Sequence, residues 1–85
     1  MRIQVLGPGC ANCERLYENV LEAVNQSGML GEIVIEKVRD IDTFIRMGVF
    51  TTPGLVVDGE TVSVGRVLDP GEILEIIQKK GRLTR

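Results

Sequence analysis

The sequence contains no histidine. This absence excludes a Ser-His-Asp triad, a Cys-His nucleophile pair and every metal site that requires an imidazole ligand. Cysteine is also scarce, because two cysteines in 85 residues allow at most one disulfide. Small secreted domains that depend on disulfides carry several, so the chain does not belong to that class. The chemistry that remains is that of cysteine and carboxylate side chains.

An excess of basic residues is missing as well. Lys and Arg total 10 and Asp and Glu total 12, which gives a formal net charge of -2 at pH 7 and a sequence pI of about 5.0. Without a basic surplus to neutralise phosphates, nucleic acid is not an expected partner. Residues 1–7 hold no long apolar stretch, so we expect neither a signal peptide nor a membrane span. The cytosol is therefore the default compartment.

The length leaves room for a single domain, residues 1–85. In the first half of the chain, the spacing of apolar residues predicts a strand, a helix, a strand and a helix in that order. This order is typical of a βαβ unit. The second strand contains a β-branched run and is predicted to be fully buried. These elements are a strand around Ile3–Leu6, a helix from Cys13 to a stop at Ser27-Gly28, a strand at Glu32–Val38 and a helix from the N-cap Asp40 to Gly48.

The second half predicts a β-hairpin followed by a helix. Leu55–Val57 and Glu60–Val64 flank the turn dipeptide Asp58-Gly59, which favours a tight hairpin. Asp69-Pro70 is a typical helix start. We expect this last helix to end at Lys79-Lys80-Gly81 and the residues after it to form a frayed tail.

The cysteine pair lies where the first strand has ended and the first helix begins, in the segment Cys10-Ala11-Asn12-Cys13. Unpaired amides and the macrodipole at a helix start favour an anion, so a thiolate at Cys10 should be stabilised relative to a free thiol of pKa about 8.5. Cys13 lies on the apolar face of the helix, where burial opposes its ionisation. Cys10 is therefore the candidate nucleophile and Cys13 the resolving thiol. The alternative is that both are small core residues.

A second signal is Thr52-Pro53 at the entry to the hairpin. Proline is unfavourable there because it removes a donor from the strand ladder. A cis peptide bond would resolve the conflict, and a trans proline in an ordinary turn is the alternative.

Together with Asp58-Gly59 and the closing helix, these two motifs resemble the thioredoxin and glutaredoxin-like superfamily, in particular its very small redox-active disulfide proteins. The resemblance spans nearly the whole chain and implies an α/β thioredoxin-like fold, a four-stranded mixed sheet with helices on both faces. It implies a cis Pro53 beside the disulfide and a Thr52 backbone that pairs with an extended substrate segment. It also implies protein disulfide substrates, a flavoprotein electron donor like thioredoxin reductase, and no cofactor in this chain.

Two alternatives use the same residues differently. A soft-metal carrier could bind Cu(I) or Zn through both thiolates, but such domains typically have methionine where Pro8 stands, and they end in a strand. A thioredoxin-like scaffold without catalysis is the third hypothesis, because a fold does not fix a function.

Three other features of the sequence are interpreted as solvent-exposed surface or as core packing. Glu14, Glu18 and Glu22 repeat along one helix face and are predicted to be solvated, with docking of a basic partner as the alternative. Tyr17 is expected to pack in the core or at its boundary, with a role near the sulfurs as the alternative. The pair Val49 and Phe50 could form an apolar rim around the disulfide or simply pack in the core.

Overall fold

Seven helices and strands make up the fold, described by a computed structural model over residues 1–29 and 31–83. Their order confirms the predicted one. The elements are β1 (Arg2–Leu6), α1 (Ala11–Ser27), β2 (Val34–Val38), α2 (Ile41–Arg46), β3 (Gly54–Val57), β4 (Glu60–Val64) and α3 (Pro70–Leu83).

The strands form one four-stranded sheet in the order β2-β1-β3-β4. β1 pairs with β2 in parallel, with Ile3 opposite Ile35. β3 pairs antiparallel with both β1 and β4. The sheet is therefore mixed, as the resemblance implied, and β1 lies at its centre.

Apolar side chains alternate between the two faces of this sheet, as the two-residue period of a strand requires. On β1, Ile3 and Val5 lie on the face covered by α1 and α3, whereas Leu6 lies on the face covered by α2. The larger core cluster lies under α1 and α3; it consists of Ile3, Val5, Leu16, Val20, Ala23, Val24, Ile33, Leu55, Val57, Leu68, Ile73 and Ile77. The smaller cluster, under α2, consists of Leu6, Phe44, Val49 and Val56. Helices thus cover both faces.

The prediction that Glu32–Val38 is a fully buried strand is wrong. β2 begins at Val34, lies at one end of the sheet and pairs with β1 alone. Val34 is 58% exposed, and only Ile33, just before the strand, belongs to the core. Local apolarity indicates a strand, but the number of its neighbours depends on the topology of the whole sheet.

The predicted start of α3 is confirmed and its predicted end is wrong. The Asp69 carboxylate accepts the amide hydrogen of Glu72 at 2.8 Å, and the Glu72 carboxylate accepts the amide hydrogen of Asp69 at 3.3 Å. This reciprocal capping fixes the first turn. The helix then continues through Gly81 to Leu83, because glycine costs a helix about 1 kcal/mol without forbidding it. The last two residues of the expected tail lie outside the described residues.

Among the described helices, none has the length and apolarity needed to cross a membrane.

Candidate active site

The Cys10–Cys13 pair occupies the first turn of α1. Gly9 has a φ of +96°, in the left-handed region that favours glycine, and it directs the chain from β1 into the helix. Cys10 is the N-cap residue with extended backbone, and Cys13 lies one turn further. The two sulfurs are joined in a disulfide, with the Cα atoms 5.0 Å apart.

The two cysteines differ sharply in exposure. Cys10 is exposed, whereas Cys13 is 5% exposed and lies on the buried face of α1 with Leu16 and Val20. The predicted orientation of Cys13 towards the core is confirmed. An external sulfur or alkylating reagent can therefore reach the first cysteine much more easily than the second.

The start of α1 provides one hydrogen-bond donor for the sulfur of Cys10. The amide of Cys13 donates to Sγ of Cys10 at 3.3 Å. The amide of Glu14 donates to the Cys10 carbonyl at 3.0 Å, the first bond of the helix. A negative charge on the Cys10 sulfur would strengthen the first of these bonds and interact favourably with the helix dipole.

Gly7 is a site residue that belongs to none of the sequence motifs. A Cβ built on Gly7 would overlap Sγ of Cys13 and would stand 3.0 Å from its Cβ. The same position lies 3.9 Å from Cβ of Thr52. Gly7 is therefore the point at which β1 lets the disulfide and the loop before β3 come together. A glycine directly after a strand and before the cysteine motif was the only signal for this role.

The Thr52–Pro53 peptide bond is cis, as the resemblance implied. Two contacts hold the segment around it. The amide of Gly65 donates to the Pro53 carbonyl at 2.8 Å, and Gly54 packs so closely on Val49 that an added Cβ would stand 2.7 Å from both Val49 methyls. The fold thus brings Thr52, far away in sequence, into the neighbourhood of Cys13.

A charged cleft opens beside the buried sulfur. It is lined by Val5, Gly7, Gly9, Cys13, Glu14, Lys37 and Arg39. Lys37 donates to the Glu14 carboxylate at 2.8 Å, and its ammonium nitrogen lies 4.4 Å from the centre of the Tyr17 ring. The guanidinium of Arg39 lies over Gly9, with Nη2, Cζ and Nε at 3.5, 3.6 and 3.9 Å from the position of a Cβ on that glycine.

The glutamates of α1 and the pair Val49 and Phe50 differ in whether they pack in the core or lie on the surface. Glu18 and Glu22 are exposed as predicted, whereas Glu14 pairs with Lys37 in the charged cleft. Val49 is a core residue at 2% exposure, but Phe50 next to it is 80% exposed. The rim hypothesis therefore concerns Phe50 alone and stays a prediction.

Tyr17 packs at the boundary of the larger core cluster, as expected.

The soft-metal alternative gains no support. The two sulfurs that would bind the metal, those of Cys10 and Cys13, are joined to each other in the disulfide. Within residues 1–29 and 31–83, no group of three or more His, Cys, Asp or Glu side chains is arranged to hold a metal ion.

Comparison with known proteins agrees with this geometry. Residues 1–78 match the family model described as a thioredoxin domain. A thioredoxin of Methanothermobacter thermautotrophicus is 43% identical over 77 residues, which cover 91% of this chain and 97% of that protein. A thioredoxin of Methanocaldococcus jannaschii is 41% identical over 73 residues, or 86% of this chain and 81% of that protein. The chain therefore belongs to the thioredoxin family and is a thiol-disulfide oxidoreductase.

Proposed function

We propose that Cys10 is the attacking thiol of this oxidoreductase and that Cys13 is its resolving thiol. The observation that carries this assignment is the contrast between the two sulfurs. Cys10 is exposed and accepts the amide hydrogen of Cys13, whereas Cys13 is 5% exposed. The thiolate is the nucleophile, so the cysteine whose charge is stabilised and accessible reacts first.

In the reducing direction, the Cys10 thiolate attacks one sulfur of a substrate disulfide. A Cys10–substrate disulfide forms and the first substrate thiolate leaves, taking a proton from solvent. Cys13 then loses its proton and attacks Sγ of Cys10. The Cys10–Cys13 bond forms, the mixed disulfide breaks and the second substrate thiolate leaves. The substrate gains two electrons, and the short separation of the two cysteines makes the second step intramolecular.

The substrates proposed are proteins that present a disulfide in an extended segment. Thr52 lies near the disulfide, because both Cys13 and Thr52 approach the Cβ position of Gly7. Its backbone N–H and C=O take part in none of the hydrogen bonds found among the described residues. An extended strand could pair with these two groups and place its own cysteine over Cys10. Pro53 is fully buried, so it would support this binding surface from below.

The electrons proposed to regenerate the dithiol come from a flavoprotein like thioredoxin reductase. A reductase partner in general is what the family suggests. A reducing cytosol is the compartment in which such a pair would cycle, and residues 1–85 would act as a single domain.

Trapping of the mixed disulfide tests the two cysteine roles. With Cys13→Ser, a disulfide-bonded protein substrate should accumulate as an adduct on Cys10, visible by intact mass without reductant. With Cys10→Ser, no adduct should form at comparable rates, because Cys13 is buried. Adducts of equal yield in both variants would reject the assignment. Normal biological activity of Cys10→Ser would instead favour the scaffold hypothesis.

Backbone methylation of a peptide substrate tests the role of Thr52. In a series of disulfide peptides, each with one N-methyl group, pairing with Thr52 predicts that kcat/KM falls at the one position whose N–H would donate to the Thr52 carbonyl, because the methyl group removes that donor. Methylation at the two neighbouring positions is the matched control. A profile without a single sensitive position would contradict strand pairing while leaving the cysteine roles intact.

A further inference from the structure

The charged cleft holds two cations and one carboxylate, and only one of the cations is compensated. Lys37 is paired with Glu14 at 2.8 Å. Arg39 makes no ion pair with any carboxylate in the part of the chain that the structure describes. The cleft therefore carries a net positive charge directly beside the cysteine pair.

The uncompensated charge lies beside the residue that precedes the attacking cysteine. Three guanidinium atoms of Arg39 lie within 3.9 Å of the Cβ position of Gly9. These distances correspond to ordinary van der Waals contact, so the guanidinium lies next to the backbone where the chain enters α1. Arg39 and Cys13 also line the same cleft.

The other charged groups near the cysteine pair lie outside the cleft. Arg15, two residues after Cys13 on α1, is exposed and is not among the residues that line the cleft. Asp40 follows Arg39, but its carboxylate accepts the Asp42 amide and the Thr43 hydroxyl at the start of α2. Arg66 follows Gly65, whose amide donates to the Pro53 carbonyl, and its guanidinium pairs with the Glu72 carboxylate at 3.0 Å. The loop at residues 49–53 has no titratable side chain. Glu14, Lys37 and Arg39 are thus the charged groups that line the cleft.

We propose that Arg39 is an electrostatic positioning residue that stabilises the thiolate of the reduced cysteine pair. This inference rests on the proposed function, because it concerns the thiolate that Cys10 must carry to attack. A cation near a thiol favours its ionised form. Glu14 opposes Arg39 in the same cleft, since its carboxylate neutralises Lys37.

The two residues should act with opposite signs. Arg39→Gln should raise the midpoint pH for alkylation of Cys10 by about 0.5 unit, which is about a threefold change in the ionisation constant. Glu14→Gln should lower the midpoint by a comparable amount, because it leaves Lys37 uncompensated. Arg39→Lys should restore most of the wild-type midpoint. High salt should shrink all three differences, because the cleft is open to solvent.

Lys79→Gln is the matched control. Lys79 is an exposed cation on α3, next to Lys80, which pairs with Glu60 beside the β3–β4 turn at the end of the sheet away from the disulfide. Its removal changes the net charge equally and should leave the midpoint unchanged.

The experiment is pH-dependent alkylation of the reduced protein, with each cysteine followed by peptide mass spectrometry. An opposite shift in Arg39→Gln and Glu14→Gln, with Lys79→Gln silent, would support the inference. Superimposable profiles for wild type and Arg39→Gln would overturn it, and so would an equal shift in Lys79→Gln. If Cys10 of the wild type does not ionise earlier than Cys13 and Cys13→Ser traps no adduct, the proposed function itself fails.

Discussion

Sγ of Cys13 occupies the space in which a side chain at Gly7 would begin. The disulfide is thus packed against the backbone directly after β1. The sulfur of Cys13, six positions later in the sequence, requires glycine at position 7.

Gly7→Ala should destabilise the oxidised protein by about 1–3 kcal/mol, because an added methyl group must displace Cys13 in a packed region. The measurement is urea denaturation of the oxidised form. Gly31→Ala is the control, since nothing lies within 4 Å of its Cβ position; it should stay within about 0.5 kcal/mol of wild type. Equal midpoints for Gly7→Ala and wild type would contradict the packing argument.

Phe50→Ser should leave stability nearly unchanged, because the ring is 80% exposed. If Phe50 forms an apolar rim for extended substrates, kcat/KM for a reducible unfolded protein should fall about fivefold, the equivalent of losing ~1 kcal/mol of apolar contact. Reduction of a small aromatic disulfide serves as the reference assay and should change little. Ile45→Ser, at 54% exposure on α2, is the matched surface variant. A similar fall in both variants would reject a specific role for Phe50.

Asp69→Ala should cost about 0.5–2 kcal/mol of stability, because it removes the acceptor for the Glu72 amide and breaks the reciprocal capping of α3. Thermal or urea unfolding measures this loss. Glu75→Ala, an exposed position on the same helix, should change stability much less. A neutral Asp69→Ala would mean that the α1–α3 packing alone determines the start of the helix.

The ion pair between Arg2 and Glu36 predicts a pH-dependent contribution to stability. The hydrogen bond from Arg2 at 2.6 Å, reinforced by the attraction of the charges and opposed by partial desolvation, lowers the pKa of Glu36 from 4.5. The contribution is therefore fully present above the unfolded-state pKa and disappears as the pH falls through the lowered folded-state value. Because the pair is exposed, the effect should be small.

Comparison of wild type with Glu36→Gln across pH 7 to 2 measures this contribution. The two unfolding free energies should converge at the acidic end. Glu18→Gln, at an exposed position of α1, should show no such convergence. A gap between wild type and Glu36→Gln that widens on acidification would contradict the sign of the shift.

The order of the elements was predictable because each depends on local chemistry. The hairpin turn needs positive φ at both central positions, and Asp58-Gly59 supplies +50° and +81°. Asp40 and Asp69 signal their helices because a carboxylate can accept a first-turn amide. The orientation of Cys13 follows from its spacing to Leu16 and Val20 on one helix face.

The features that were missed depend on neighbours distant in sequence. The exposure of β2 follows from its place at the end of the sheet, which the sequence of that strand does not encode. The role of Gly7 requires Cys13 and Thr52 close to it. The charged cleft joins Glu14 from α1, which was predicted to be solvated, with Arg39, which directly follows β2 and belongs to no motif in the sequence.

The terminal position of β2 has a consequence for how copies of this chain meet. Its outer edge presents backbone groups without a strand partner in the described sheet, and exposed edges of this kind can template aggregation. The middle of β2 is occupied by two charged residues, Glu36 and Lys37. A second strand docking there would have to desolvate or mispair these charges. Glu36 and Lys37, which pair with Arg2 and Glu14, thus also disfavour edge-to-edge association of the sheet.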